Sequence, residues 1–224
     1  MKKRIQIDST LLTAVIFSTF IFFIFKNLYP RHLWIDNLLD IFGIVILLKA
    51  ILLRMSARGH KKAHSAKSKS LVTSGPYATI RNPMYLGSAM MGVGFIFLVW
   101  PWWSAPLFLI LFYIRFRPQV EKEEAFLEKH FESEFSKYKS QVPRVWPHLD
   151  DIPKIRTRQV FNLEECFSTK EQLGLLTWPV LAILLETVQE YFIYGGTDIK
   201  DTLLIFTCSV LAFIAGFAYY YQKN

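Results

Sequence analysis

Apolar residues in this chain fall into six runs, over residues 11–25, 33–53, 85–99, 105–114, 173–193 and 203–221, separated by polar stretches. A helix needs roughly 20 mostly apolar residues to cross the hydrocarbon core of a bilayer. The third and fourth runs are shorter, yet no charged residue interrupts residues 84–114. Pro101 and Pro106 break that stretch around Trp100, Trp102 and Trp103. The pattern predicts two helices joined by a tight turn at the membrane surface, where tryptophan concentrates. Over residues 120–139 the pattern changes: Val120, Leu127, Phe131, Phe135 and Tyr138 recur at helical spacing, with Lys122, Lys129, Ser133 and Lys137 off that stripe. This predicts an amphipathic helix. The expected fold class is all-α, a polytopic transmembrane helical protein of about six spans with a cytosolic amphipathic helix. Three parts follow: an N-terminal transmembrane hairpin (1–54), a core with a polar loop, helical hairpin and cytosolic helix (55–150), and a connector with a C-terminal transmembrane hairpin (151–224).

Composition supports a membrane class, because 52% of the 224 residues are hydrophobic, more than one soluble core needs. The formal charge of +8 invites a nucleic-acid reading, but its distribution opposes one. Basic residues precede the first run (Lys2, Lys3, Arg4), fill the stretch between the second and third (Arg54, Arg58, Lys61, Lys62, Lys67, Lys69, Arg81), and follow the fourth from Arg115 and Arg117 onward. The alternate loops hold only Lys26 and Arg31, then none at the tryptophan turn, then Lys200. That asymmetry is the positive-inside pattern, which puts both termini in the cytoplasm and makes the bilayer, not nucleic acid, the partner. The first run is expected to be a retained span, since no small-residue cleavage site follows Phe25. Cys166 and Cys208 are too few for a disulfide framework or a cysteine metal site. Residues 58–70, rich in Lys, Ser and His, are expected to form a mobile loop.

Candidate chemistry concentrates in Leu71-Val-Thr-Ser-Gly-Pro-Tyr77-Ala-Thr-Ile-Arg81-Asn-Pro-Met-Tyr85-Leu-Gly87. Gly75-Pro76 sets a turn and Pro83 biases Asn82 toward extended backbone. Two close turns expose backbone amides and carbonyls to a polar ligand; the plainer reading is a loop ending where Pro83 opens a helix. Downstream, Glu123 and Glu124 both lean toward the apolar stripe, and periodicity does not choose between them. Burying either carboxylate requires a cation or hydrogen-bond donors, from a bound ligand or from an ion pair with a neighbouring loop.

Leu71-Val72, Gly75-Pro76-Tyr77, Arg81-Asn82-Pro83-Met84-Tyr85-Leu86-Gly87, the tryptophan hairpin, Glu123-Glu124, Phe131, Tyr138 and Val142-Pro143-Arg144 occur in this order. The series resembles the signature of the isoprenylcysteine carboxyl methyltransferase and phospholipid methyltransferase group of integral membrane enzymes. The resemblance implies an S-adenosylmethionine-dependent methyltransferase acting on a membrane-embedded or amphiphilic acceptor by in-line methyl transfer. It further implies that the donor is bound by Lys69, Ser70, Leu71, Val72, Tyr77, Asn82, Pro83, Met84, Tyr85, Glu123 and Glu124. Glu123 can meet the donor's ammonium or hydroxyls; Tyr77 and Tyr85 offer aromatic surface to adenine or the sulfonium.

Arg81 and Arg117 are the candidate catalytic residues. Arg81 either pairs with a buried carboxylate or binds the donor's carboxylate or the acceptor. Arg117, with Arg115, either receives the acceptor or anchors the span end. Two positions depart from the family. Asn82 replaces its histidine, removing a titratable ring, and Gln119 replaces an arginine that meets the acceptor carboxylate. The nature of the methylated atom therefore stays open. Elsewhere, Glu186 and Glu190 lie one turn apart within the fifth run, where carboxylates are functional candidates. Asp36 and Asp40 open the second. His60 and His64 have metal-like spacing but no evident third ligand, and no metal site is expected. Gly92-Val93-Gly94 suits close helix packing. The alternatives are an NADPH-dependent membrane lipid or sterol reductase, and a non-catalytic scaffold or transporter centred on Glu186 and Glu190.

Overall fold

The computed structural model describes residues 17–29, 33–65, 70–147, 160–196 and 199–223, and what it describes is all-helical. Residues 17–24 form α1. It is followed by α2 (Leu33–His64), α3 (Pro83–Val99), α4 (Ser104–Gln141), the short α5 (Leu163–Cys166), α6 (Gly174–Tyr194) and α7 (Ile199–Lys223). Lys69, and residues 11–16 of the first apolar run, lie outside the described residues.

The core is the packing of α3 against the middle of α2. Ile44, Leu47, Leu48, Ala50, Ile51 and Met55 of α2 meet Met91, Leu98 and Val99 of α3, with Ala182 of α6 closing the cluster. Two glycines let the backbones touch. A Cβ on Gly94 would lie 3.0 Å from the Gly43 carbonyl oxygen and 3.1 Å from the Leu47 nitrogen. Small residues at a crossing between apolar helices allow the close contact that holds such helices together, since burial from lipid gives no hydrophobic gain.

The helices α6 and α7 show their apolar side chains outward: Leu176, Leu184, Tyr191, Leu204, Leu211 and Ile214 are all exposed. Residues Lys170–Tyr194 and Ile199–Gln222 are the two stretches among the described residues that are long and apolar enough to cross a membrane, and Pro83–Val99 is a shorter apolar helix. An exposed apolar face of this extent suits contact with lipid. The 32 residues of α2 rise about 48 Å, well beyond a hydrocarbon core of about 30 Å. The helix is thus longer than such a core is thick, and its last turns, from Arg54 onward, are polar.

Two local expectations are corrected. Residues 58–64 are not loop but the end of α2. Glu171 pairs with both Arg54 and Arg58, and Glu165 with His60 and His64, so partners from the C-terminal part hold this polar stretch helical. The amphipathic helix is not a separate element either; α4 continues through Pro118 and bends only at Glu132, where φ is 30°. Proline at 118 forfeits one backbone bond, but its own φ is helical. Val120, Phe135 and Tyr138 of the predicted stripe are buried, while Leu127 and Phe131 are half-buried.

Gly94→Val is expected to lower the thermal unfolding midpoint in detergent, by an overpacking cost of about 1–3 kcal/mol. Gly216→Ala, where nothing lies within 4 Å of an added Cβ, is the control and should leave the midpoint unchanged or slightly raised. Equal midpoints for the two variants would contradict the helix contact.

Candidate active site

The tryptophan turn sets the register of the α3–α4 hairpin. Trp100 ends α3, and α4 starts at Ser104. Counting away from the turn at 1.5 Å per residue, Asn82 lies about 27 Å back along α3 and Glu124 about 30 Å along α4. The antiparallel helices thus bring the start of α3 level with the Glu123-Glu124 pair. The indole of Trp100 donates to Thr19 Oγ1 at 2.8 Å, and Tyr29 donates to the Val99 carbonyl at 3.0 Å, pinning the turn to the N-terminal helix.

The two carboxylates have different fates. Glu124 is buried at 6% exposure. Arg144 donates to its Oε2 through Nε at 3.1 Å and Nη2 at 2.6 Å. Asn82 Nδ2 donates to Oε1 at 3.3 Å, and Arg81 Nε stands 3.4 Å from that oxygen as a charge contact without hydrogen-bond alignment. Contacts from two neighbouring segments, two arginines and an asparagine, therefore compensate the buried carboxylate. Glu123, one residue earlier, is exposed and accepts from Tyr85 Oη and Gln119 Nε2, both at 2.9 Å. No hydrogen bond from a described residue reaches its other oxygen.

The signature loop is docked onto the far end of α4. Tyr138 donates to the Tyr77 carbonyl at 2.7 Å, Arg81 Nη1 to the Lys139 carbonyl at 3.2 Å, and the Arg81 amide to the Pro143 carbonyl at 2.9 Å. Asn82 Nδ2 also reaches the Arg144 carbonyl at 3.1 Å. The bend at Glu132 turns Phe135 and Tyr138 back under the loop, where both are buried. Burial pushes the phenols of Tyr77 and Tyr138 well above their ordinary range, so neither is a tyrosinate base at neutral pH.

The structure brings Tyr77, Asn82, Pro83, Tyr85, Glu123 and Glu124 to one end of the hairpin. Ser70, Leu71 and Val72 are half-buried in the stretch before Gly75, with Ser70 donating to the His64 carbonyl at the end of α2, and Met84 is half-buried at the start of α3. Arg81 follows the first of its two readings, pairing with a buried carboxylate. Arg117 is exposed, bonded to Glu121 at 2.7 Å and 5.9 Å from the Tyr113 ring centre. That bond holds the Glu121 carboxyl below its usual range.

Three contributors are not among the predicted site residues, although Arg144 closes the signature series and Ser74 lies within its loop. Arg144 is the strongest partner of Glu124. Ser74 accepts or donates at 2.8 Å to His60 Nε2, whose other nitrogen lies 2.7 Å from Glu165. Glu165 is the third group that residue spacing did not supply beside His60 and His64. Here it accepts hydrogen bonds that tie α5 to the end of α2, and the imidazole carries the tie on to the loop.

Long apolar helices and a polar loop seated at one end of a helical hairpin give this chain the build of an integral membrane protein. Residues 38–134 match the phospholipid methyltransferase family. The protein-S-isoprenylcysteine O-methyltransferase B of Arabidopsis thaliana is 27% identical over 54% of this chain and 63% of its own length. The Schizosaccharomyces pombe protein-S-isoprenylcysteine O-methyltransferase is 32% identical over 40% of each chain. That of Mus musculus is 28% identical over 67% of this chain and 58% of its own. Over these stretches the chain is similar to the phospholipid methyltransferase family and to isoprenylcysteine O-methyltransferases. It spans between about two-fifths and about two-thirds of the curated relatives it matches. No solved structure matches it.

Glu124→Ala is expected to cost about 3 kcal/mol of stability, because it strands Arg81 beside a polar cavity. Glu123→Ala should cost well under 1 kcal/mol, as an exposed change. Thermal midpoints in detergent compare them; equal losses would show that Glu124 is not the anchor.

Proposed function

We propose that this chain is an S-adenosylmethionine-dependent methyltransferase whose acceptor is an amphiphile entering from the bilayer. The supporting observation is the division of labour in the acidic pair: Glu124 is consumed in holding the loop, while Glu123 is left open beside Tyr85. Matched relatives are named as isoprenylcysteine O-methyltransferases, which fits an acceptor with a lipid tail and a polar head.

The donor supplies a methyl group already activated on a sulfonium, so the chain's own residues need only bind, align and exclude water. Glu123 meets the donor's ammonium or hydroxyls by charge-assisted hydrogen bonds. Tyr77 and Tyr85 provide aromatic walls, and the loop from Lys69 to Val72 offers backbone groups. Asn82 orients rather than titrates, since it is held by Glu124 and Arg144. Arg81 acts through Glu124 as a positioning residue. Arg117, solvent-exposed at the span end, is the cation placed to receive an anionic acceptor head where the relatives' arginine is Gln119 here. An acceptor that is already nucleophilic suits a site without a general base.

In the proposed topology about six spans cross the bilayer, with both termini and the donor site on the cytosolic side. Calorimetry tests the function. Glu123→Gln should weaken binding of S-adenosylhomocysteine about 10-fold or more, the scale of one charged hydrogen bond, with the unfolding midpoint unchanged. Tight NADPH binding without affinity for S-adenosylhomocysteine would instead select the reductase reading. For topology, cysteine substituted at His64 should label from the cytosolic side and at Gly196 from the opposite side; reversed labelling would overturn the orientation.

A further inference from the structure

The other end of the bundle holds a polar cluster that methyl transfer does not use. Asp36 and Asp40 lie one turn apart near the start of α2, and Glu186, Gln189 and Glu190 near the end of α6. Spacings of three and four residues put each set on one helix face, and the two faces meet. Asp36, Asp40 and Glu186 are 4%, 4% and 5% exposed, and Gln189 only 2%. One oxygen from each of the three carboxylates lies within 4.8 Å of the others. Asp40 and Glu186 are hydrogen-bonded to each other, and Tyr194 and Gln189 to Asp36. From α7, Thr202 donates to Glu190 Oε2 at 3.1 Å. A small cavity borders Asp40, Glu186 and Thr202 on an otherwise apolar wall.

Two observations separate this cluster from a solvated acidic patch. Asp36 Oδ2, Glu186 Oε2 and the carboxamide oxygen of Gln189 are buried without a hydrogen-bond partner. Native structures leave few buried acceptors in that state unless an ion or water meets them. In addition, no lysine or arginine among the described residues forms an ion pair with Asp36, Asp40 or Glu186, whereas buried Glu124 has two arginine partners. Several carboxylates this close and this dry cannot all carry charge without a cation.

We propose that Asp36, Asp40, Glu186 and Gln189 bind a hard divalent cation of calcium size, which ties α6 to the start of α2. The ligand set is all oxygen, carboxylates plus one amide carbonyl, which suits calcium or magnesium and not the softer metals. Oxygens on opposite sides of a calcium ion stand up to about 5 Å apart, against about 4.2 Å for magnesium. Carboxylate oxygens within 4.8 Å of one another admit calcium, whose flexible coordination suits ligands fixed on two helices better than magnesium's strict octahedron. The site is independent of the methyl-transfer reading, and its test needs no activity.

The full chain, purified in detergent and stripped with chelator at pH 8, is titrated with calcium, magnesium or sodium chloride while unfolding is followed. Calcium at a hundredfold excess over its Kd should raise the midpoint by about 5 °C or more, with magnesium weaker and sodium inert. Equilibrium dialysis with radioactive calcium should find one ion per chain. Asp40→Asn and Glu186→Gln should abolish both signals, and Glu165→Gln, at the separate histidine cluster, should abolish neither. The proposal is overturned if the wild-type chain retains no calcium, which dialysis decides even where the variants fail to fold. It is equally overturned if calcium leaves the midpoint unmoved while Asp40→Asn matches or exceeds wild-type stability; shared protons then neutralise the cluster.

Discussion

One carboxylate organises the whole candidate site. Glu124 lies out of water on α4, and its charge is tolerable only because Arg81, Asn82 and Arg144 converge on it from two different segments. Those segments are the signature loop and the stretch just after α4, so satisfying one buried charge closes the polypeptide around the end of the hairpin. Hydrogen bonds from Tyr138 and the Arg81 amide then fix the loop in place. Removing a partner from such a cluster is far more damaging than replacing the cluster by apolar residues would be. A buried ion pair here serves geometry: it fixes Glu123, its neighbour on the same helix, within hydrogen-bond distance of Tyr85.

The match between loop and acidic pair follows from length. Equal rises along α3 and α4 from the tryptophan turn bring Asn82 and Glu124 level, although 42 residues separate them. An insertion of one or two residues in either helix would rotate the pair by about 100° per residue and break the contact. Pro83 at the first position of α3 fixes where that count begins, and the Gly43–Gly94 contact fixes how α3 lies on α2.

That much was legible from residue pattern: the apolar runs, the tryptophan turn, the stripe of Val120, Phe135 and Tyr138, and the tandem of loop and acidic pair. Periodicity could not separate Glu123 from Glu124, because both sit at the edge of the stripe; only the positions of Arg81 and Arg144 in space decide which is buried. The helical state of residues 58–64 was hidden for a similar reason. Their local composition is that of a solvated loop, and their stability comes from Glu165 and Glu171, more than 100 residues away. The bend at Glu132 also left no mark, since neither glycine nor proline occupies it. Each miss is a long-range charge or packing contact, which a reading along the chain does not contain.

The two ends of the bundle solve the same electrostatic problem under different constraints. In the proposed orientation the donor end is cytosolic, where arginine and lysine are abundant, and its buried acid is met by arginines. Segments on the opposite side are depleted of those residues by the bias that orients membrane helices. Carboxylates buried there, Asp36, Asp40 and Glu186, have no arginine partner among the described residues, and protons or an ion in solution can neutralise them. A proton shared by Asp40 and Glu186 links one pair across α2 and α6, whereas an ion would gather several ligands from both helices at once. The charge asymmetry that sets the topology thus accounts for arginines as counter-charges at one end and for a bound cation at the other.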